Sequence, residues 1–202
     1  MLPVTVFSDF ACPYSYVTES ALWRVADSSM SVQYRAFELF PDRQEIEGEP
    51  ITPGEWDDLR PLAEAEGLEL IELDFRPRTR KAHEAARFAR QHDLEPALRS
   101  EIYSAYWSEG LDIGRIDVLM ELAARVEIEP EDLKIALDID KFADDVERDL
   151  EVARRLHVPG SPTMFLGSGP RARVLAGAHD ARRLGSLIQE ASRAWHATNE
   201  DV

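Results

Sequence analysis

Asp9-Phe10-Ala11-Cys12-Pro13-Tyr14-Ser15-Tyr16 is the stretch on which the fold turns, because it holds the single cysteine of the chain where an apolar run (Val4, Val6, Phe7) passes into a helical one. A loop that opens a helix leaves its first N–H groups unpaired and carries partial positive charge. A thiol placed there is readily converted to a thiolate. Pro13 fits the first helical position, where its missing N–H costs nothing. Residues 3–8 therefore read as a short buried strand. Val17, Ala21, Leu22 and Val25 read as the inner face of a helix ending near Ala26. Cys12 is the candidate reactive group.

Working outward, residues 31–37 alternate, Val32, Tyr34 and Ala36 against Gln33, Arg35 and Phe37, which predicts a second strand. Strand, helix and strand at this spacing form a βαβ unit with a parallel pair. From Pro41 the strand signal fades. Thr52-Pro53-Gly54-Glu55 is a capping box opening a helix that carries Trp56, Leu59, Leu62 and Ala63 and stops at Gly67. A further helix starts near Thr79, its natural N-cap, with Ala82, Ala85, Ala86 and Ala89 on a small-residue face. Leu98, Ile102, Ala105 and Tyr106, and then Val118, Leu119, Leu122 and Val126, repeat at helical spacing, and Glu129-Pro130 opens a short turn. After a long helix over about 142–156, Val158 to Leu166 returns to strand. Gly167-Ser168-Gly169-Pro170 reverses the chain, Arg173 to Ala176 completes a hairpin, and a last helix runs from an Asp180 cap to about Trp195.

The 202 residues can bury a substantial core, and their net charge of -16 argues against nucleic acid or an anionic membrane as partner. No run approaches the roughly 18–20 apolar residues of a membrane span, and no signal-peptide pattern opens the chain, so the expected address is the cytoplasm. One cysteine excludes an internal disulfide, and five scattered histidines with no His-Glu-x-x-His pair or Gly-rich phosphate loop give metal and nucleotide chemistry no support. No bound cofactor is expected.

The order strand, cysteine loop, helix, strand, helices, Gly-x-Pro-Thr loop, hairpin and closing helix resembles the DsbA-like oxidoreductase family. Within it, the chain is similar to the FrnE-type branch, 2-hydroxychromene-2-carboxylate isomerases and kappa-class glutathione transferases. The motifs that carry the resemblance are Asp9 to Tyr16, Phe37-Glu38-Leu39-Phe40-Pro41, Thr79 to Ala89 with His83, and Val158 to Phe165 followed by Leu175-Ala176-Gly177-Ala178. The resemblance implies an α/β protein: a thioredoxin fold (1–40 and 140–202) with an inserted all-helical lid domain (41–139). It also implies a cis bond at Ser161-Pro162, facing the cysteine, and a helix bearing His83 over the cleft. The sequence departs from the FrnE-type Cys-Pro-Trp-Cys at Ser15, and from the serine of the isomerase and kappa branches at Cys12.

An ordinary cysteine of pKa about 8.5 is only about 3% thiolate at pH 7, and one lowered to about 6 is about 90% ionised. With Ser15 in the fourth place the second thiol must come from outside, from glutathione as candidate cosubstrate or from a protein thiol. The Ser15 hydroxyl can donate to the Cys12 sulfur. The expected catalytic residues are Cys12 and Ser15, and the expected substrate-binding residues are Pro13, Tyr14 (a rim aromatic), Ser161, Pro162 and His83. Asp9 and Glu38 are either proton carriers or hydrogen-bonded loop residues. Three functions compete: a monothiol thiol-disulfide oxidoreductase or isomerase, a glutathione-dependent isomerase or transferase, and a redox-inactive peptide-binding protein, which a raised Cys12 pKa would favour. Monomer and homodimer are both open, the aromatic end of the last helix giving the dimer its basis.

Overall fold

The computed structural model describes residues 1–41, 46–47 and 51–199. Strand β1 (Leu2–Ser8) is central, with Leu2, Val4, Val6 and Phe7 wholly buried, because both faces of the sheet are covered. It runs parallel to β2 (Met30–Ala36), in register from Leu2 against Met30 to Ser8 against Ala36, with α1 (Pro13–Val25) as the crossover. On its other side β1 pairs antiparallel with β5 (Thr163–Leu166), which pairs antiparallel with β6 (Arg173–Ala176). The four-stranded order is β2-β1-β5-β6.

Between β2 and the sheet's last two strands the chain forms α2 (Pro53–Ala65), α3 (Arg80–Arg90), α4 (Glu95–Trp107), α5 (Ile116–Arg125), α6 (Pro130–Asp138) and α7 (Ala143–Arg155). The chain closes with α8 (Ala181–Asn199). The capping box at Thr52 forms as its residues dictate: the Thr52 Oγ1 accepts from the Glu55 N–H and the Glu55 carboxylate accepts from the Thr52 N–H. Asp180 likewise caps α8 by accepting the Arg183 N–H at 2.7 Å.

Two apolar clusters hold these elements. One gathers β1, Ala21 and Leu22 of α1, the hairpin residues Met164, Leu166 and Leu175, and Leu184, Leu187 and Ile188 of α8. The other joins Phe10, Tyr16 and Val17 to the buried faces of α2 through α6. Helix α1 contributes to both, so it is buried nearly all round, and its polar residues Ser15, Thr18 and Glu19 have no exposed face to occupy.

The structure corrects or adds to the sequence reading at several points. Glu129-Pro130 opens not a short turn but the nine-residue α6, with Pro130 and the acidic Glu131 and Asp132 in its first turn and Leu133, Ala136 and Leu137 buried. A small antiparallel ribbon pairs β3 (Ile46–Glu47) with β4 (Phe75–Arg76), each too short to show an alternation. The hairpin reversal includes a 3-10 turn at Gly169–Arg171, and the positive φ of Gly167 (94°) and Gly169 (66°) is why glycine recurs there. Thr79 stands at the N-cap of α3 but its side chain makes no capping bond. Trp195 packs, partly buried, on the apolar cluster of β1, the hairpin and α8, against Gly167. Among the described residues, no helix is long and apolar enough to cross a membrane.

Candidate active site

Cys12 is the N-cap residue of α1, extended at φ -106° and ψ 112°, with Pro13 at the first helical position. The loop before it is fixed from several directions. The Asp9 Oδ2 accepts the Leu39 N–H at 2.7 Å, its Oδ1 accepts the Ala11 N–H at 3.4 Å, and the Cys12 N–H returns to the Asp9 carbonyl at 3.1 Å. From α4, the Trp107 Nε1–H donates to the Phe10 carbonyl at 2.9 Å. The Tyr103 hydroxyl donates to the Glu19 Oε1 at 2.8 Å, with the Asp9 carbonyl 3.4 Å away. Asp9 is thus a loop anchor with both oxygens engaged.

Opposite the sulfur lies the loop that leads into β5. Its Ser161-Pro162 bond is cis. The Cys12 S–H donates to the Ser161 carbonyl at 3.3 Å. The Ser161 Oγ accepts the Asp9 N–H at 2.8 Å and lies 2.6 Å from the Ser15 Oγ. The Pro162 carbonyl accepts the Gly177 N–H at 3.0 Å, and the Thr163 hydroxyl donates to the Gly160 carbonyl at 2.7 Å. Residues 149 positions apart in sequence therefore meet at one sulfur, and Cys12, Ser15, Ser161 and Pro162 lie together in the structure.

The electrostatics run against one expectation. Burial pushes the Cys12 thiol above its ordinary value, and the Asp9 carboxylate adds to that push; the Ser15 hydroxyl and N–H and the Ser161 hydroxyl pull the other way. Cys12 is 4% exposed, and desolvation outweighs the donors at the helix start. The resting group is a thiol rather than the thiolate read from the helix N-terminus.

Tyr14 is half-buried at the rim, its hydroxyl donating to the Glu55 carbonyl at 3.2 Å, which ties α1 to α2 beside the cysteine. Pro13 is buried. His83 does not face an open cleft. It is 2% exposed, its ring lies 4.9 Å from that of Phe10, and its Nε2 is 3.4 Å from the Asp9 Oδ1, so it supports the loop from behind. Glu38 pairs with Arg80 at 2.7 Å. Burial raises its pKa while His83 and Arg80 oppose the rise.

The contribution of α4 was missed in the sequence. Arg99, Tyr103 and Trp107 recur four residues apart, a row of polar-tipped side chains on one helix face, and that spacing was the available signal. The Ser161 hydroxyl was missed as well, since nothing in the sequence says which way its side chain points. Among the described residues, no group of three or more His, Cys, Asp or Glu side chains is arranged to hold a metal ion.

A parallel β-α-β unit joined to an antiparallel hairpin, with a cysteine capping the first helix opposite a cis-proline loop, defines a thioredoxin-fold protein. More narrowly, the chain belongs to the DSBA-like thioredoxin domain family, which it matches over residues 3–189. It is 26% identical over 172 residues to the uncharacterized protein YwbO of Bacillus subtilis, covering 81% of this chain and 86% of that one. Its fold is similar to that of a probable DsbA oxidoreductase from Streptomyces coelicolor, with a TM-score of 0.80, 24% identity and coverage of 95% and 90% of the two chains. The cytosolic disulfide reductase DsbM of Pseudomonas aeruginosa, solved with GSH, is similar at a TM-score of 0.68 and 19% identity, over 99% of this chain and 100% of that one.

Proposed function

We propose that the protein is a one-cysteine thiol-disulfide oxidoreductase that works through mixed disulfides on Cys12. The observation that carries this reading is the Cys12 sulfur at the N-cap of α1, 3.3 Å from the Ser161 carbonyl of the cis-proline loop.

In the first step Cys12 loses its proton and its sulfur attacks one sulfur of a substrate disulfide. The Cys12–S–S–R bond forms, the substrate S–S bond breaks, and the departing thiolate takes up a proton. In the second step an external thiol, glutathione or a protein cysteine, loses its proton and attacks the R sulfur, releasing Cys12 as a thiolate that is reprotonated. Ser15 makes the external thiol necessary, because no second cysteine exists in the chain. The cytosolic disulfide reductase of Pseudomonas, solved with GSH, has a similar fold, which supports glutathione as the external thiol. A cytoplasmic setting with reduced small thiols agrees with this cycle.

The raised thiol also favours a second reading, a redox-inactive protein that keeps the cleft for peptides. Incubation with oxidised glutathione, followed by intact mass measurement, separates the two. The oxidoreductase gives one glutathione adduct, lost on adding free thiol and absent in Cys12→Ser. No adduct at any pH up to 9, with no reduction of a protein disulfide such as that of insulin, leaves the binding reading. Glutathione-dependent turnover of a chromene carboxylate, retained in Cys12→Ser, would instead support the isomerase.

A further inference from the structure

The register of the hairpin decides which backbone groups its edge presents. The Gly177 N–H donates to the Pro162 carbonyl at 3.0 Å, in the same register that sets Ala176 against Thr163 and Leu175 against Met164. Residues that exchange bonds across an antiparallel pair alternate along each strand. Gly177, Leu175 and Arg173 therefore turn their N–H and C=O groups toward β5, and Val174 and Ala176 turn theirs away from it. Strand β6 is the last in the order β2-β1-β5-β6, so these groups face outward, and none of the described residues bonds to them. The opposite edge is closed where it nears the site. The Tyr34 carbonyl of β2 accepts from Arg90 at 2.7 Å, and the Ala36 N–H donates to the Asp149 Oδ2 at 3.0 Å.

The side chains of β6 divide by face. Leu175 is buried in the cluster with α8, and Arg173 pairs with Glu190 of α8 at 2.7 Å. On the other face Val174 is 50% exposed, and Ala176 is exposed as well. The surroundings are basic in a chain of net charge -16: from the hairpin turn through α8, Arg171, Arg173, Arg182, Arg183 and Arg193 are all exposed, against Asp180 and Glu190. Local charge governs a contact here, because screening cuts the reach of more distant charges to about 8 Å at physiological ionic strength. Two copies of this edge would bring arginines together. A strand with apolar side chains on one face and carboxylates on the other matches both faces of β6.

We propose that the outer edge of β6 is a docking strand for an extended acidic segment of a substrate protein, which joins the sheet through the N–H and C=O groups of Val174 and Ala176. Its apolar side chains lie on Val174 and Ala176, and its carboxylates lie toward Arg173. Neighbouring strands are about 4.8 Å apart, so the added strand runs about 10 Å from β5, whose entry is the cis-proline loop against Cys12. A disulfide carried near the docked segment is thus held close to the sulfur. The choice of a substrate protein as partner rests on the oxidoreductase reading; the docking itself does not.

Docking is tested without the chemistry. A short fluorescent peptide of alternating Glu and Val is titrated with the wild type and with Val174→Pro, and binding is followed by fluorescence anisotropy. Proline at position 174 removes an outward N–H and leaves the bonds to β5 in place. The wild type is expected to bind, and Val174→Pro to bind about tenfold more weakly, the scale of one lost backbone hydrogen bond. Should Val174→Pro fail to fold by circular dichroism, the same peptide N-methylated at alternate residues makes the comparison on the wild type and should lose binding. A Lys and Val peptide should bind more weakly than the Glu and Val one. No binding, binding indifferent to both changes, or equal binding of the two peptides would overturn the proposal. So would a dimer in sedimentation that Val174→Pro dissolves, which would assign the edge to a second copy. Peptide binding without disulfide exchange would fail the functional reading and leave the docking strand standing. Exchange with no peptide binding would do the reverse.

Discussion

At the scale of the residue, one sulfur gathers opposing influences. A buried cysteine at a helix start is pulled toward ionisation by the N–H and hydroxyl donors around it and pushed away from it by the loss of water, and here the loss of water is the larger. The sign of its effect on stability follows. A group whose pKa is raised by folding contributes stability that is fully present below the unfolded value, about 8.5 for cysteine, and is lost as pH rises toward the higher folded value. The stability difference between wild type and Cys12→Ala should therefore shrink between pH 8 and pH 10 in paired urea titrations. A difference that stays level or widens over that range would mean the folded sulfur is already ionised. Alkylation of the wild type should also remain slow at pH 7 and accelerate at alkaline pH.

At the scale of the element, the contacts that set the site are charged groups under cover. Asp149 on α7 is 1% exposed and joins three elements: its Oδ1 accepts from Arg35 of β2 at 2.8 Å, its Oδ2 accepts the Ala36 N–H at 3.0 Å, and Arg87 of α3 closes on the same Oδ2. Removing one partner of a buried pair leaves the others uncompensated. Asp149→Ala should cost about 3 kcal/mol, at the low end of such losses because both arginines keep some exposure. Urea unfolding followed by circular dichroism measures it, and a loss under about 1 kcal/mol would mean the arginines find water instead. The cap of α2 is a smaller device: Thr52→Ala should lower stability by about 1 kcal/mol in the same assay, through the lost capping box. Because Tyr14 reaches the Glu55 carbonyl in the first turn of that helix, this variant should also change the rate of Cys12 alkylation.

At the scale of the whole molecule, the helices between β2 and β5 are joined to the strand-bearing core by a buried pair. Arg99 of α4 gives its Nε and Nη2 to the two oxygens of Glu19 on α1, both at 2.6 Å, and its Nη2 to the Ser8 Oγ of β1 at 2.8 Å. Its guanidinium lies between the rings of Phe10 and Tyr34, 4.7 and 4.6 Å from their centroids. Arg99→Ala strands Glu19, which is wholly buried, and should cost about 3–5 kcal/mol. Replacing both, Glu19→Leu with Arg99→Met, should recover most of that loss, since paired charges removed together leave nothing uncompensated. A double variant as unstable as Arg99→Ala in urea would show that the loss is one of packing rather than of charge.

Much of this was legible in the chain. The alternation of Val32, Tyr34 and Ala36, the Pro13 start and the Thr52 box each act within a few residues, so local rules suffice to read them. The helix of α6 and the α4 row behind the loop were harder. Glu129-Pro130 opens a turn and a helix alike, and the value of Tyr103 and Trp107 depends on what lies across from them.

By itself the sequence determined where the candidate cysteine sits, that it has no second thiol, and that a proline loop about 150 residues later belongs to the same family pattern. These are properties of composition and local propensity. Only the tertiary structure decided that burial raises the Cys12 thiol, that the Ser161 and Ser15 hydroxyls meet, and that His83 stands behind Asp9. Ionisation and hydrogen-bond direction depend on desolvation and on which distant groups meet, and these come into being only when the strands and helices close around the loop.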